Sequence, residues 1–404
     1  MSFGSKAPVV LLTNDDGPPS PSSPNIYSFA KALKSTLGWD VRVVVPDCQK
    51  SWVGSAYAIS DVIEGKYFYP REPDGLEGEI TTTSRPLKEG ETMEWVLLSG
   101  TPATCANIAL HNLYPDEIDL VISGPNHGRN SSSAFAISSG TIGATLGSSF
   151  SSYPSIALSY GVVQRPVPAN AITLANEAAV TVVERLWADW GVDQSQQRSL
   201  DGSRMRGRVQ LYAVNLLLVE RFLERENRKV VWTRIARNGY GQLFKPKRPD
   251  SLGDTWHTGS VAAKKPSTEG AAQHAPPTSQ TTGTNAPQKD SPDSTKPASA
   301  GPAVQQPVAQ GGDQGMSSND EQQEEDGRLV FHFAPDMKPL ILPEEETLLE
   351  GTDSWALHHG YISVTPLQAS YAEPDEESMC FGSEVGANRA PERNGEGKKG
   401  VWKL

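Results

Sequence analysis

Short, wholly apolar runs that alternate with amphipathic helical segments constrain this chain more than any other feature of its sequence. Val9–Leu12, Val41–Val45, Trp95–Leu98, Leu120–Ile122, Ile156–Leu158 and Val209–Leu218 read as strands. A strand that is apolar on both faces must be covered on both faces, which is the situation of strands in a parallel sheet. Between the first two runs, Asn25 is placed as an N-cap, Ile26, Phe29, Ala30, Leu33 and Leu37 recur at helical spacing, and Gly38 is the stop. Thr101-Pro102 reads as N-cap and first helical residue, with Ala103, Ala106, Leu110 and Leu113 as a core-facing stripe. A helix is expected to start near Gly140-Thr141, and a long amphipathic one spans Asn170–Trp190. Strands alternating with helices predict an α/β fold built on an open, mostly parallel sheet.

The remainder of the 404 residues sorts by composition. From Ser260 to Gly327 there is no Leu, Ile, Phe, Trp or Tyr, but there are eight prolines. Such a stretch cannot bury enough apolar surface to offset its ordering entropy, so it is expected to be a disordered insert. The expected organisation is a core over 8–259, the insert over 260–327, further strands over 328–371 (Leu329–Phe333 and Tyr361–Thr365 among them) and a flexible polar tail over 372–404. Val230–Thr258 is mixed and reads as strands of a smaller subregion. The formal net charge is −12, with no Lys/Arg-rich block, which argues against nucleic-acid or anionic-membrane partners. Three scattered cysteines, Cys48, Cys105 and Cys380, form no disulfide framework or zinc cluster. Met1–Pro8 lacks a long apolar signal segment, so a cytoplasmic location is expected.

In an open parallel sheet, ligands bind beyond the carboxyl ends of the strands. The polar residues collected there are Asn14, Asp15 and Asp16 after the first strand, Ser51 after the second, Asn126 and Asn130 after Leu120–Ile122, and Ser139, Gly140 and Thr141 at a helix start. Adjacent carboxylates repel unless a cation stands between them. Two Asp, a Ser and an Asn make an all-oxygen ligand set, which suits Mg²⁺ or Mn²⁺ and disfavours zinc. Ser139-Gly140-Thr141 would offer hydroxyls and backbone N–H groups to phosphate oxygens. Each feature also has a bland reading: paired Asp as a turn or cap device, Asn126 as a turn residue, Ser139 as an ordinary N-cap. His127 is placed at the site rim, and His358-His359 is read as a pair in a turn without a metal. Neither a G-x-S-x-G elbow, a phosphate-binding G-x-x-x-x-G-K-[ST] loop nor a dinucleotide G-x-G-x-x-G follows the first strand.

Val10-Leu11-Leu12-Thr13-Asn14-Asp15-Asp16-Gly17 resembles the N-terminal signature of the SurE survival-protein family of metal-dependent phosphatases and nucleotidases. The likeness continues through Val45-Pro46-Asp47 to Ser51, Ser99-Gly100-Thr101-Pro102-Ala103, Asp119 to Gly124, Asn126, Gly128, Asn130, Ser139-Gly140-Thr141 and Gly360 to Leu367. It implies a Rossmann-like three-layer core with C-terminal β elements exchanged between subunits of a homodimer or homotetramer. It places one divalent metal ion per subunit on Asp15, Asp16, Ser51 and Asn126, with phosphate contacts at Asn14, Asn130, Ser139, Gly140 and Thr141. Asp15 is the first candidate for orienting or deprotonating the attacking water. The implied substrates are nucleoside monophosphates or broader phosphomonoesters; the alternative is a non-catalytic phosphate- or nucleotide-binding module on the same fold. Departures from the family pattern are the long Pro-rich loop after Gly17, Thr104, His127 and the Ser131–Ser138 segment, read as an altered loop.

Overall fold

The computed structural model describes residues 7–168, 170–191, 209–246, 329–341 and 343–370. The expected insert over 260–327 and the expected tail over 372–404 therefore lie outside the described residues. The chain divides into two compact units, one of 1–244 with 333–404 and one of 245–332.

The first unit is organised by a ten-stranded sheet. Its parallel centre consists of β1 (Val9–Thr13), β2 (Asp40–Pro46), β5 (Trp95–Leu98), β6 (Leu120–Asn126), β7 (Ser155–Gly161) and β8 (Leu211–Leu217). With β3 (Gly65–Pro70), β4 (Gly78–Thr81), β9 (Val230–Trp232) and β12 (Ile362–Leu367) at its edges, the strands run in the order β4-β3-β5-β2-β1-β6-β7-β8-β12-β9. Helices α1 (Ile26–Leu37) and α5 (Ala171–Ala188) cover one face, and α2 (Pro102–Ile108) and α4 (Gly140–Phe150) the other.

The apolar runs explain this layering residue by residue. Val10 and Leu12 pack on the α1/α5 side while Leu11 packs on the α2/α4 side. Val43 and Val45 against Val44, Trp95 and Leu97 against Val96 and Leu98, and Leu120 and Ile122 against Val121 repeat the alternation. Both faces of each central strand are thus dry, and every fully buried Leu or Val contributes about 1.5–3 kcal/mol. Gly38 closes α1 in the left-handed conformation at φ 66°, its N–H reaching the carbonyls of Leu33 and Lys34. Thr101 caps α2 by accepting from the Thr104 N–H at 3.2 Å, with Pro102 in the first turn.

Several local expectations are corrected. Asn25 does not cap α1 with its side chain; it is in helical conformation and its amide faces His127 instead. Leu113 leaves the core because α2 runs on into a wider π turn, Ala109–Leu113, which rotates it outward. Ser131–Ser138 is mostly helical: α3 spans Ser132–Ser138. A hairpin absent from the sequence reading, β3 (Gly65–Pro70) with β4 (Gly78–Thr81), extends the sheet antiparallel to β5. At the opposite end β12 (Ile362–Leu367) lies antiparallel to β8, with β9 (Val230–Trp232) parallel beside it. A separate two-stranded ladder pairs β10 (Phe244–Pro246) with β11 (Phe331–Phe333). Among the described residues no helix is long and apolar enough to cross a membrane.

Candidate active site

Strand order reverses beside β1: β2 and β5 lie to one side, β6, β7 and β8 to the other. The crevice beyond the carboxyl ends of such a pair is where an open α/β sheet binds ligands. A cavity of about 270 Å³ occupies it, and Asp15, Asp16, Ser51, Asn126, Asn130 and Ser139 all line it. Two of the strands deliver these groups directly, since β1 ends just before Asn14 and β6 ends at Asn126.

Both carboxylates are almost fully buried, at 4% exposure each. The Thr141 hydroxyl donates to Asp15 Oδ1 at 2.6 Å, and the backbone N–H groups of Gly140 and Thr141 also favour its charged form. Burial outweighs them and raises the Asp15 pKa. Asp16 accepts from the His127 N–H at 2.7 Å and from the Gln49 amide at 3.4 Å. Burial first, and the Asp15 charge second, push Asp16 up to about 8. Among the described residues no cationic side chain pairs with either aspartate.

The ligand set therefore fits a divalent cation of the hard type. No cluster of three or more His, Cys, Asp or Glu stands among the described residues. Two uncompensated carboxylates with amide and hydroxyl oxygens around them suit an ion that keeps several waters. Asn126 commits its amide N–H to the Gly128 carbonyl at 3.0 Å, which holds the side chain in one orientation. Ser51 is exposed at the cavity edge.

Three of the residues expected at phosphate are placed elsewhere. Asn14 is sealed in the turn after β1, donating to the Gly17 carbonyl at 2.8 Å and accepting from the Gly17 N–H at 3.0 Å. Thr141 is wholly buried and spends its hydroxyl on Asp15. The α4 N-terminus, expected to cradle a ligand anion, receives the Asp15 carboxylate of the protein itself. Gly140 allows that approach: a Cβ there would stand 2.8 Å from Asp15 Cβ. Asn130 and Ser139 do line the cavity. Asn130 is fixed by a bond from its N–H to Asn215 Oδ1 at 2.8 Å and from its amide to Ser159 at 2.9 Å. Ser139 accepts from the Ile142 N–H as the α4 N-cap.

The cavity also holds residues that sequence reasoning missed. Trp52 forms part of the wall with a positive φ of 62°, rare for a bulky residue, and packs edge-on to Phe135 and Phe333. Its loop sits on bare backbone of α4, because a Cβ at Gly143 would lie 2.1 Å from the Gly54 carbonyl oxygen. Met337, just before the short helix α6 (Lys338–Ile341), and Ile341, its last residue, close another side. Asp353, at the start of α7 (Asp353–His358), accepts from the N–H groups of Ser132 and Ala236 at 2.8 and 2.9 Å. It thereby ties the C-terminal segment to the turn that follows Asn130. Nothing in its local sequence marks this reach. Burial lowers the His127 pKa, and the charge of Arg165 adds to it.

The candidate site is thus an α/β sheet with two adjacent buried carboxylates at its switch point. The family model described as survival protein SurE matches residues 10–242, more than half of the chain, and the chain belongs to the SurE family. A 5'-nucleotidase SurE of Christiangramia forsetii is 35% identical over 154 residues, 38% of this chain and 50% of that protein. A probable tubulin–tyrosine ligase of Saccharomyces cerevisiae is 31% identical over 259 residues, 58% of this chain and 32% of that protein. The chain thus spans a third to a half of the length of these relatives. A SurE protein of Aquifex aeolicus has a solved structure with a TM-score of 0.49 and 19% identity, covering 90% of this chain and 95% of that one.

Proposed function

We propose that this chain is a divalent-metal-dependent phosphomonoesterase acting on nucleoside monophosphates or similar monoesters. The observation that carries the reading is the pair of buried aspartates, Asp15 and Asp16, with no cationic partner among the described residues, in a cavity they share with Ser51 and Asn126. The naming of SurE relatives as 5'-nucleotidases supports the substrate class.

Asp15, Asp16, Ser51 and Asn126 would hold the ion. A bound Mg²⁺ or Mn²⁺ supplies neutralisation of phosphate charge and a lowered pKa for water. The Thr141 hydroxyl fixes the rotation of the Asp15 carboxylate, leaving it oriented to align and deprotonate the attacking water. Asp16, held by the His127 backbone, acts chiefly to bind. Asn130 and Ser139 contact phosphate oxygens. The cavity is smaller than the about 300–1,000 Å³ that encloses a whole drug-sized ligand. It therefore receives the phosphate end and leaves the rest of the substrate at the mouth. Assembly as a homodimer or homotetramer belongs to the same proposal and is read by light scattering.

The test is release of inorganic phosphate from a panel of nucleoside monophosphates and simple monoesters. Release should require Mg²⁺ or Mn²⁺ and stop with EDTA. A purified, folded protein that releases none from any of them with either metal would overturn the reading.

A further inference from the structure

Arg129 stands in the turn after β6, one residue before Asn130, and lines the same cavity as the two aspartates. It is half-buried, yet among the described residues it makes no ion pair and its side chain no hydrogen bond. No nitrogen of its guanidinium is among the buried polar atoms left without a partner, so its donors are not sealed in the interior, and the residue forms part of the cavity wall. A guanidinium withdrawn from water without a carboxylate is costly, and burial accordingly draws its pKa below the ordinary arginine value. A fixed fork of donors with nothing to bind is the arrangement that receives a carboxylate or phosphate bidentately.

Charge decides which anion. With a divalent ion on Asp15 and Asp16 the pair of carboxylates is neutralised. Arg129 and the exposed Arg165, which also lines the cavity and has no ion pair among the described residues, then leave an excess of two positive charges. That matches the dianion of a phosphomonoester. It exceeds the single charge of a diester.

We propose that Arg129 is a substrate-binding residue that receives the phosphate oxygens of a phosphomonoester dianion, with Arg165 as a weaker, solvent-screened second cation at the rim. This rests on the phosphomonoesterase reading for its substrate, but the anion site is measurable without turnover.

The experiment uses the full chain with Mg²⁺ or Mn²⁺ and titrates inorganic phosphate by calorimetry, alongside kcat and KM for a nucleoside monophosphate. Arg129→Met should weaken phosphate binding by at least about tenfold, the loss of one charge-assisted contact, and raise KM with it. Arg129→Lys should fall between, because it keeps the charge and loses the fork. Arg165→Met should cost less than Arg129→Met, since its site is screened by solvent. Wild-type phosphate affinity in folded Arg129→Met overturns the proposal, as does a larger loss for Arg165→Met. If Arg129→Met does not fold, Arg129→Lys carries the test: unchanged affinity overturns the assignment and weakened affinity supports it. A wild-type protein that binds phosphate but releases none from any monoester would sink the hydrolase reading, while the calorimetry would still judge Arg129.

Discussion

Two regions of this molecule bury acidic side chains, and they treat them in opposite ways. Beside the β3–β4 hairpin, the Glu91 side chain is fully buried and accepts two bonds from Arg85, at 2.7 and 2.8 Å, and one from the Lys88 N–H at 2.7 Å. The Arg85 guanidinium also lies 3.7 Å from the centre of the Tyr69 ring. Hydrogen bonding to Arg85 holds Glu91 down at about 2. At the switch point of the sheet, Asp16 is raised to about 8, chiefly by burial. The first region satisfies a carboxylate with the protein's own cation and so contributes to stability. The second provides no cation from the described side chains, the arrangement that the proposed divalent ion would neutralise.

The comparison predicts opposite mutational outcomes. Asp15→Asn and Asp16→Asn should each lower metal-dependent phosphate release by about 10²–10⁴-fold, while the melting temperature of the metal-free protein stays level or rises. Full activity in either variant at saturating Mg²⁺ would erase the distinction. Glu91→Gln should do the reverse. Removing one partner of a buried pair is expected to cost about 3 kcal/mol, a fall in Tm of roughly 6–12 °C, with kcat per folded molecule unchanged. A Glu91→Gln protein as stable as the parent would show that the Arg85 cluster is no more than a surface ion pair.

Proton linkage gives a gentler version of the same contrast. The raised Asp16 keeps a proton in the folded chain that the unfolded chain has released, so metal-free stability should fall as pH rises from about 4 towards 8. Saturating Mg²⁺ should flatten that slope, and Asp16→Asn should remove most of it. The depressed Glu91 works the other way: its contribution is present above the ordinary value of 4.5 and is lost as pH falls towards 2. Denaturant titrations at pH 5, 6.5 and 8, with EDTA or Mg²⁺, separate the two; metal-free stability that rises with pH across this window would contradict the assignment of Asp16.

The smallest effect is expected from the segment that belongs to neither region. Replacing 260–327 with a short flexible linker should leave Tm and phosphate release within error of the full chain. The replaced residues include almost no large apolar side chains, and β10 already pairs with β11 across the segment. A loss of activity comparable with that of Asp15→Asn would make the segment a functional part of the protein.

Much of the fold is legible in local pattern because the physics behind it is local. Apolar runs such as Val9–Leu12 and Leu120–Ile122 declare strands covered on both faces, and the polar residues that end them must fall on one rim. Asp15 and Asp16 could be picked out for that reason alone, and Ser51 and Asn126 follow by order along the chain. What the sequence cannot express is which polar groups spend their bonds on each other. Thr141 meets Asp15 across 126 residues, and Asp353 meets Ser132 across 221. Asn14, expected at substrate, is instead consumed by Gly17. Arg129 looks like any loop arginine until the surrounding carboxylates are seen to leave it unpaired. Periodicity encodes burial, which depends on spacing within one element. Hydrogen bonding and charge balance depend on groups from distant elements, and only the packed tertiary structure decides which of them remain free to bind a ligand.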